Sequence, residues 1–292
     1  MKRPVSSPVH SPLFPSLANW GALLLSAALV TGCADKKEDA YTDDKLAHDI
    51  QEADARVRNH KLEDAEKIYD RVLENRPDNP DAIGGLGRVR WEQKKLDEAA
   101  QLLSKAAAAK EKDADLYATL GAVYAQQEKH AEAADAYGKA WALDGENSDY
   151  GLAYGKHLKE TEQYPEAEKV LREVAELDPE VRFVHTELAD VLRETGRTDE
   201  ALKMYMKAQN TYRSDRMARA GAALVYETKG DIQHALDEWS AYIRMDCCSD
   251  YSKNVARKKV MELGPDDVEL PPLEEGAADG EAAAGDDEAA AG

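Results

Sequence analysis

Residues 114–147 read ADLYATLGAVYAQQEKHAEAADAYGKAWALDGEN. Within them Gly121 precedes Ala133 by twelve residues, and Tyr137 follows Ala133 by four. The same triplet recurs outward in both directions. The alanines are Ala65, Ala99, Ala133, Ala167, Ala201 and Ala235, each 34 residues from the next with no insertion. Four residues after each comes a large side chain: Tyr69, Leu103, Tyr137, Leu171, Tyr205 or Trp239. Twelve residues before each comes a small one: Ala53, Gly87, Gly121, Gly155, Ala189 or Ala223. Two antiparallel helices approach closely only where both carry small side chains. The small residue of a first helix is therefore expected to meet the alanine of a second, with the large residue filling the space beside that contact. One such unit cannot bury its apolar stripe alone, so neighbours must stack to cover it.

This pattern resembles the tetratricopeptide repeat. Tyr117-x-x-Leu120-Gly121-x-x-Tyr124, followed by Ala133-x-x-x-Tyr137 and Ala140, matches the family pattern almost in full, and Leu86-Gly87 with Ala99, Leu103 and Ala106 is close behind. The first repeat departs most, with Asp49, Glu52 and Arg56 where Trp, Leu and Tyr are expected, which suits a terminal unit with one face in water. A repeat-ending proline occurs only as Pro77 and Pro179. The resemblance implies an all-α fold, an α-solenoid of six helix-turn-helix units at 46–79, 80–113, 114–147, 148–181, 182–215 and 216–249. Gly196 and Gly230 fall at equivalent turns between paired helices, which argues against one long coil. Val255, Val260, Met261 and Leu263 give residues 250–263 a weak apolar stripe, predicting a C-terminal capping helix that Gly264-Pro265 stops. Residues 264–292 hold ten acids and no Lys or Arg, so this tail is expected to stay unfolded.

The 292-residue chain has 38 basic and 58 acidic side chains, a formal net charge of −20, and only 3 Cys. A polyanion without a basic stripe is repelled by phosphate backbones, so nucleic acid is not expected as a partner. The cysteine count rules out a disulfide framework. At the N-terminus, Lys2 and Arg3 precede an uncharged apolar run from Trp20 to Val30, too short to span a bilayer, which reads as an export signal over residues 1–32. Val30-Thr31-Gly32-Cys33 resembles a bacterial lipobox. That resemblance implies cleavage before Cys33, a diacylglycerol on its sulfur and N-acylation by chains of the palmitate type. Each buried CH₂ contributes about 0.8 kcal/mol, so several chains anchor stably. Ala34 after the cysteine fits delivery to the outer membrane, facing the periplasm, and residues 33–45 read as lipidated cysteine plus tether.

No catalytic constellation stands out, and no cofactor or metal is expected. G-x-S-x-G, the Walker loop, H-E-x-x-H and the acidic calcium loop are all absent from the sequence. Gly84-Gly85-Leu86-Gly87 lies inside a helix and is explained by packing, and the histidines after residue 33 show no ligand spacing. The chain is therefore expected not to be an enzyme. Cys247 and Cys248 leave three alternatives open: a strained bridge between neighbours, cross-links to another chain, or a buried reduced pair.

In the family this chain resembles, the first helix of each repeat lines a concave surface where partner segments lie. Positions 5, 9 and 12 of repeats two to five would point there. They are Gly84, Arg88, Trp91; Ala118, Ala122, Ala125; Leu152, Lys156, Lys159; and Thr186, Asp190, Arg193. The partner-binding candidates are Arg88, Trp91, Ala122, Leu152, Lys156, Lys159 and Arg193, an arrangement suited to an extended segment with apolar anchors and some negative charge. The opposing reading is that Arg88 and Lys156 merely pair with the protein's own acids and that Trp91 is half core. Ile50, Asp54, Ala118 and Ala122 stand where a carboxylate clamp would need Lys and Asn, which disfavours that mode. Lipobox, short tether and six repeats resemble the pilotin lipoproteins that help outer-membrane secretins assemble for type IV pili. The expected function is thus a membrane-anchored scaffold binding protein partners of the cell envelope. The alternative is a structural or regulatory subunit of another envelope enzyme or a motility complex.

Overall fold

The computed structural model describes residues 41–265 and Leu270. The signal at 1–32, Cys33, the tether up to Ala40 and most of the acidic tail lie outside the described residues. The described part contains thirteen α-helices and no strand. Twelve form six hairpins: α1 (Asp43–Arg58) with α2 (Leu62–Asn75), α3 (Pro80–Glu92) with α4 (Leu96–Ala109), α5 (Ala114–Gln126) with α6 (His130–Leu143), α7 (Ser148–Glu160) with α8 (Tyr164–Leu177), α9 (Val184–Glu194) with α10 (Thr198–Thr211), and α11 (Arg216–Lys229) with α12 (Ile232–Met245). A π-helical stretch (Ser252–Ala256) then runs into α13 (Arg257–Leu263). Each helix packs on the next in the chain, and first helices of successive hairpins touch, as α1 with α3 and α9 with α11. The arrangement is an α-solenoid closed by a C-terminal helix.

Every hairpin turns on a residue with left-handed backbone, at 34-residue steps: His60, Lys94, Glu128, Glu162, Gly196 and Gly230, with φ between 53° and 77°. After it, a backbone N–H reaches back to a carbonyl of the finished helix, as Lys95 to Arg90 at 2.9 Å and Arg197 to Leu192 at 2.8 Å. This six-to-one bond satisfies carbonyls that a helix end would otherwise leave bare. Between hairpins the period appears again as N-caps. Asn79 Oδ1 accepts from Ala82 N at 2.9 Å, Asp113 from Leu116 at 3.2 Å, Asn147 from Asp149 at 3.2 Å, and Asp215 from Ala218 at 3.0 Å. Ser249 continues the series by accepting from Ser252 N at 3.1 Å. Val181 breaks it, because its side chain has no acceptor and only its carbonyl takes a bond, from Val184 N at 3.3 Å. There α9 starts only after Phe183, at φ 70°, and is 11 residues long where the other first helices have 13 to 16.

The six periodic alanines are all fully buried. So are five of the six large residues that follow them, Tyr137 alone being half-exposed. The structure alters one detail of the packing. What stands over the small residue of the first helix is the large side chain itself: a Cβ on Gly121 would lie 2.8 Å from the Tyr137 ring, and one on Gly155 2.6 Å from Leu171. The missing Cβ makes room for a ring or a branched side chain, and the alanine clears the way beside it.

The two ends are closed differently. Thr42 Oγ1 accepts from Lys45 N at 3.3 Å, and Asp43 and Asp44 sit at the positive end of the helix dipole. Helix α1 therefore begins three residues earlier than the tether reading allowed. Tyr41 is fastened to repeat one, its hydroxyl donating to Asp49 at 2.8 Å and its carbonyl accepting from Arg76 at 3.3 Å. At the C-terminus, Ala256 and Val260 cover Ala220, Ala223, Trp239, Tyr242 and Ile243. Leu270 packs on the same cluster. Burying a side chain such as Trp239 or Ile243 contributes about 1.5–3 kcal/mol, which is the reason the last hairpin needs a cover.

Candidate protein-binding surface

The adjoining first helices set residues 34 apart side by side, and the candidate groups are held by this row. Arg88 lies against its counterpart one repeat earlier: its guanidinium is 3.0 Å from Asp54 Oδ1, which also accepts from the Tyr69 hydroxyl at 2.5 Å. Burial, followed by that bond to Asp54, raises the Tyr69 pKa, so the phenol stays a donor. Lys159 sits 2.6 Å from Glu187 and 3.2 Å from Asp190. Burial opposes its charge, but the two carboxylates outweigh that and hold it protonated above the ordinary lysine range. At Glu187 burial prevails and raises its pKa against the pull of Lys159. Asp190 also accepts from the Tyr205 hydroxyl at 2.5 Å, and Arg193 Nε donates to that oxygen at 3.3 Å while its guanidinium pairs with Glu194 at 2.7 Å.

Of the four basic candidates, then, Arg88, Lys159 and Arg193 are engaged with the protein's own acids. Lys156 is exposed and makes no ion pair among the described residues. Trp91 is half-buried against the core of repeats two and three, and its indole N–H has no hydrogen-bond partner among the described residues. Ala122 is half-buried, and Leu152 packs in part on the core of repeats four and five. Position 5 is mostly closed. Gly84 and Ala118 are buried, a Cβ on Gly84 would lie 3.0 Å from Leu116 of the next repeat, and Thr186 donates its hydroxyl to Asp215 at 2.5 Å. The open part of the row is therefore the run Trp91, Ala122, Ala125, Leu152 and Lys156. A small pocket of about 70 Å³ lies in the closed part of the row, lined by residues that include Ile50, Asp54, Gly84 and Arg88.

Several neighbours of this surface were not found from the sequence. Glu187, Tyr69 and Tyr205 complete the ion networks, and Glu227 accepts from Trp239 Nε1 at 2.6 Å while pairing with Lys259 of α13 at 2.7 Å. One signal was available: Asp54 and Arg88 are one repeat length apart. Elsewhere His130 and His157 face each other with Nδ1 atoms 3.2 Å apart, and His157 stacks on Tyr137. Among the described residues, His48, Asp49 and Glu52 form a group of metal-ligand type, but Asp49 is already committed to Tyr41 and Arg71. Cys247 and Cys248 are joined by a disulfide. No helix among the described residues is long and apolar enough to cross a membrane.

Sequence profiles described as tetratricopeptide repeat match residues 50–114, 124–183 and 184–215, more than half of the chain in total. The chain belongs to the tetratricopeptide-repeat family. In sequence, no curated protein gives a significant match. Among solved structures the fold is similar to PilF of Pseudomonas aeruginosa, at 18% identity and TM-score 0.58, covering 74% of this chain and 98% of that one. It is also similar to YrrB, described as a repeat protein with an unusual peptide-binding site, at 22% identity and TM-score 0.54 over 65% of this chain and 97% of that one. MamA is a third, at 20% identity and TM-score 0.53 over 57% and 92%. At these identities the likeness is one of fold. As a tetratricopeptide-repeat protein, the chain has a scaffold of the kind that mediates protein–protein interaction.

Proposed function

We propose that this repeat protein is a non-catalytic adaptor that takes an extended segment of an envelope protein along its row of first helices. One observation carries the reading. The half-buried apolar run Trp91, Ala122 and Leu152 shares the row with Lys156, the one basic candidate that makes no ion pair among the described residues, its charge reaching Glu187 only at longer range. Apolar side chains of the partner would seat on the run and a carboxylate would meet Lys156, while the Arg88 and Lys159 networks hold neighbouring first helices in register. The peptide-binding site named for YrrB, a protein of the same fold, supports this use of the surface.

The adaptor is anchored by acyl chains on Cys33 at the periplasmic face of the outer membrane. It acts in envelope-complex assembly, with secretin and type IV pilus biogenesis the leading setting. The lipobox, the short tether and the fold shared with PilF support that setting. Crosslinking mass spectrometry on intact envelopes, comparing wild type with Trp91→Ala/Lys156→Glu, tests the surface. Partner crosslinks to α3, α5 and α7 are expected to fall at least tenfold in the variant, and unchanged crosslinks would refute the assignment. Metabolic labelling with palmitate, with and without Cys33→Ser, tests the anchor.

A further inference from the structure

The bridge between Cys247 and Cys248 lies where the last repeat hands over to its cover. Helix α12 ends at Met245, and Ser249 caps the helical stretch at 250–263, so the two cysteines occupy most of a very short connection. The turn is stapled around Asp246, which accepts from Ser249 N at 3.0 Å and from the Tyr242 hydroxyl at 3.1 Å, with Arg216 3.5 Å away. Both cysteines are half-buried, so a small reagent can reach them. A bridge between neighbours closes a ring of eight atoms through their shared peptide and removes freedom from the backbone dihedrals on either side of it. Those dihedrals aim the chain from Asp246 to Ser249. What they aim is the helix whose Ala256 and Val260 cover Trp239, Tyr242 and Ile243.

We propose that Cys247–Cys248 is a thiol–disulfide exchange site whose substrate is a dithiol, and that its oxidised form fixes the C-terminal helix on repeat six. A thiolate of the dithiol attacks one sulfur of the bridge, forming a mixed disulfide and releasing the other sulfur as a thiolate. The second thiol of the reagent then attacks its own mixed-disulfide sulfur. The dithiol leaves as a disulfide, and the cysteines take up two electrons and two protons as a pair of thiols. Freed of the ring, the turn samples more backbone conformations, and the cover opens more often. No step requires the partner surface on α3 to α7, so this site is separable from the adaptor reading.

The test uses the full chain equilibrated in defined ratios of reduced to oxidised dithiothreitol, followed by alkylation with iodoacetamide and hydrogen-exchange mass spectrometry. The peptide bearing residues 247 and 248 is expected to gain two alkyl groups only after reduction. Residues 250–263 should then exchange about tenfold faster, while peptides from α3 to α7 do not change. Cys247→Ser/Cys248→Ser should exchange at the fast rate whatever the dithiol ratio, and its unchanged α3 to α7 peptides show that the body is folded. Alkylation of the oxidised protein without dithiol would overturn the proposal. So would exchange at 250–263 that is the same in both redox states.

Discussion

A single missing methyl group marks the tightest contacts. Gly121 faces the Tyr137 ring at a distance where a Cβ would lie 2.8 Å away, whereas at Gly145 a Cβ would meet only the Trp141 carbonyl at 3.5 Å. Gly121→Ala is therefore expected to destabilise by about 1–3 kcal/mol through overpacking, and Gly145→Ala to be nearly neutral. Urea unfolding of the two variants checks this; equal midpoints would contradict the close-approach account. His185 is buried, and burial pushes its pKa down, with Lys207 adding to the effect and the Pro179 carbonyl opposing it. The folded state therefore favours the neutral ring, and the unfolded chain binds the proton more readily below about pH 6.5. Stability at α9 is present above that value and is lost as the pH falls through the lowered folded pKa. His185→Phe should flatten the dependence between pH 7 and 5 in thermal melts.

Each hairpin is a local structure whose cost and gain can be located. Four of the six turn residues, His60, Lys94, Glu128 and Glu162, hold left-handed backbone without being glycine. For an L-residue that conformation costs about 1 kcal/mol or more. Lys94→Gly and Glu128→Gly are each expected to stabilise by about 0.5–1 kcal/mol, less the entropy that glycine brings to the unfolded chain. A fall in unfolding midpoint would show that the lysine or glutamate side chain matters more than its backbone. These turns were only partly legible: Gly196 and Gly230 gave two of them, because glycine advertises a positive φ and lysine does not. The N-cap series at Asn79, Asp113, Asn147 and Asp215 is present in the residues at the same 34-step, but Asn and Asp are equally at home in turns and loops, so the series does not by itself mark helix starts. Helix α9 starts late for the same local reason, since Val181 supplies no cap.

Across the stack, stability is a sum of repeats and the interfaces between neighbours, so an uncovered end weakens its own neighbourhood first. Removing residues 250–292 takes Ala256 and Val260 away from Trp239, Tyr242 and Ile243. The opening free energy of α12 should drop by about 3 kcal/mol. By the rule of tenfold per 1.4 kcal/mol, that is on the order of a hundredfold in hydrogen exchange, with α1 to α6 unaffected. Uniform loss of protection along the chain would instead mean that the solenoid opens as one unit.

The periodic spacing of small and large side chains was enough to specify helical hairpins, their number and their stacking. Helix formation and close helix approach depend on residues within one repeat or in its immediate neighbour, and a fixed period repeats that instruction. The electrostatic character of the binding surface could not be read the same way. For Arg88 and Lys159 the sequence left both a free and a paired reading open, and they meet Asp54, Glu187 and Asp190 only because neighbouring first helices lie side by side. Charges act through space, so whether a lysine is neutralised or open, as Lys156 is, depends on which side chains the packed helices bring within about 4 Å. That is a property of the assembled stack.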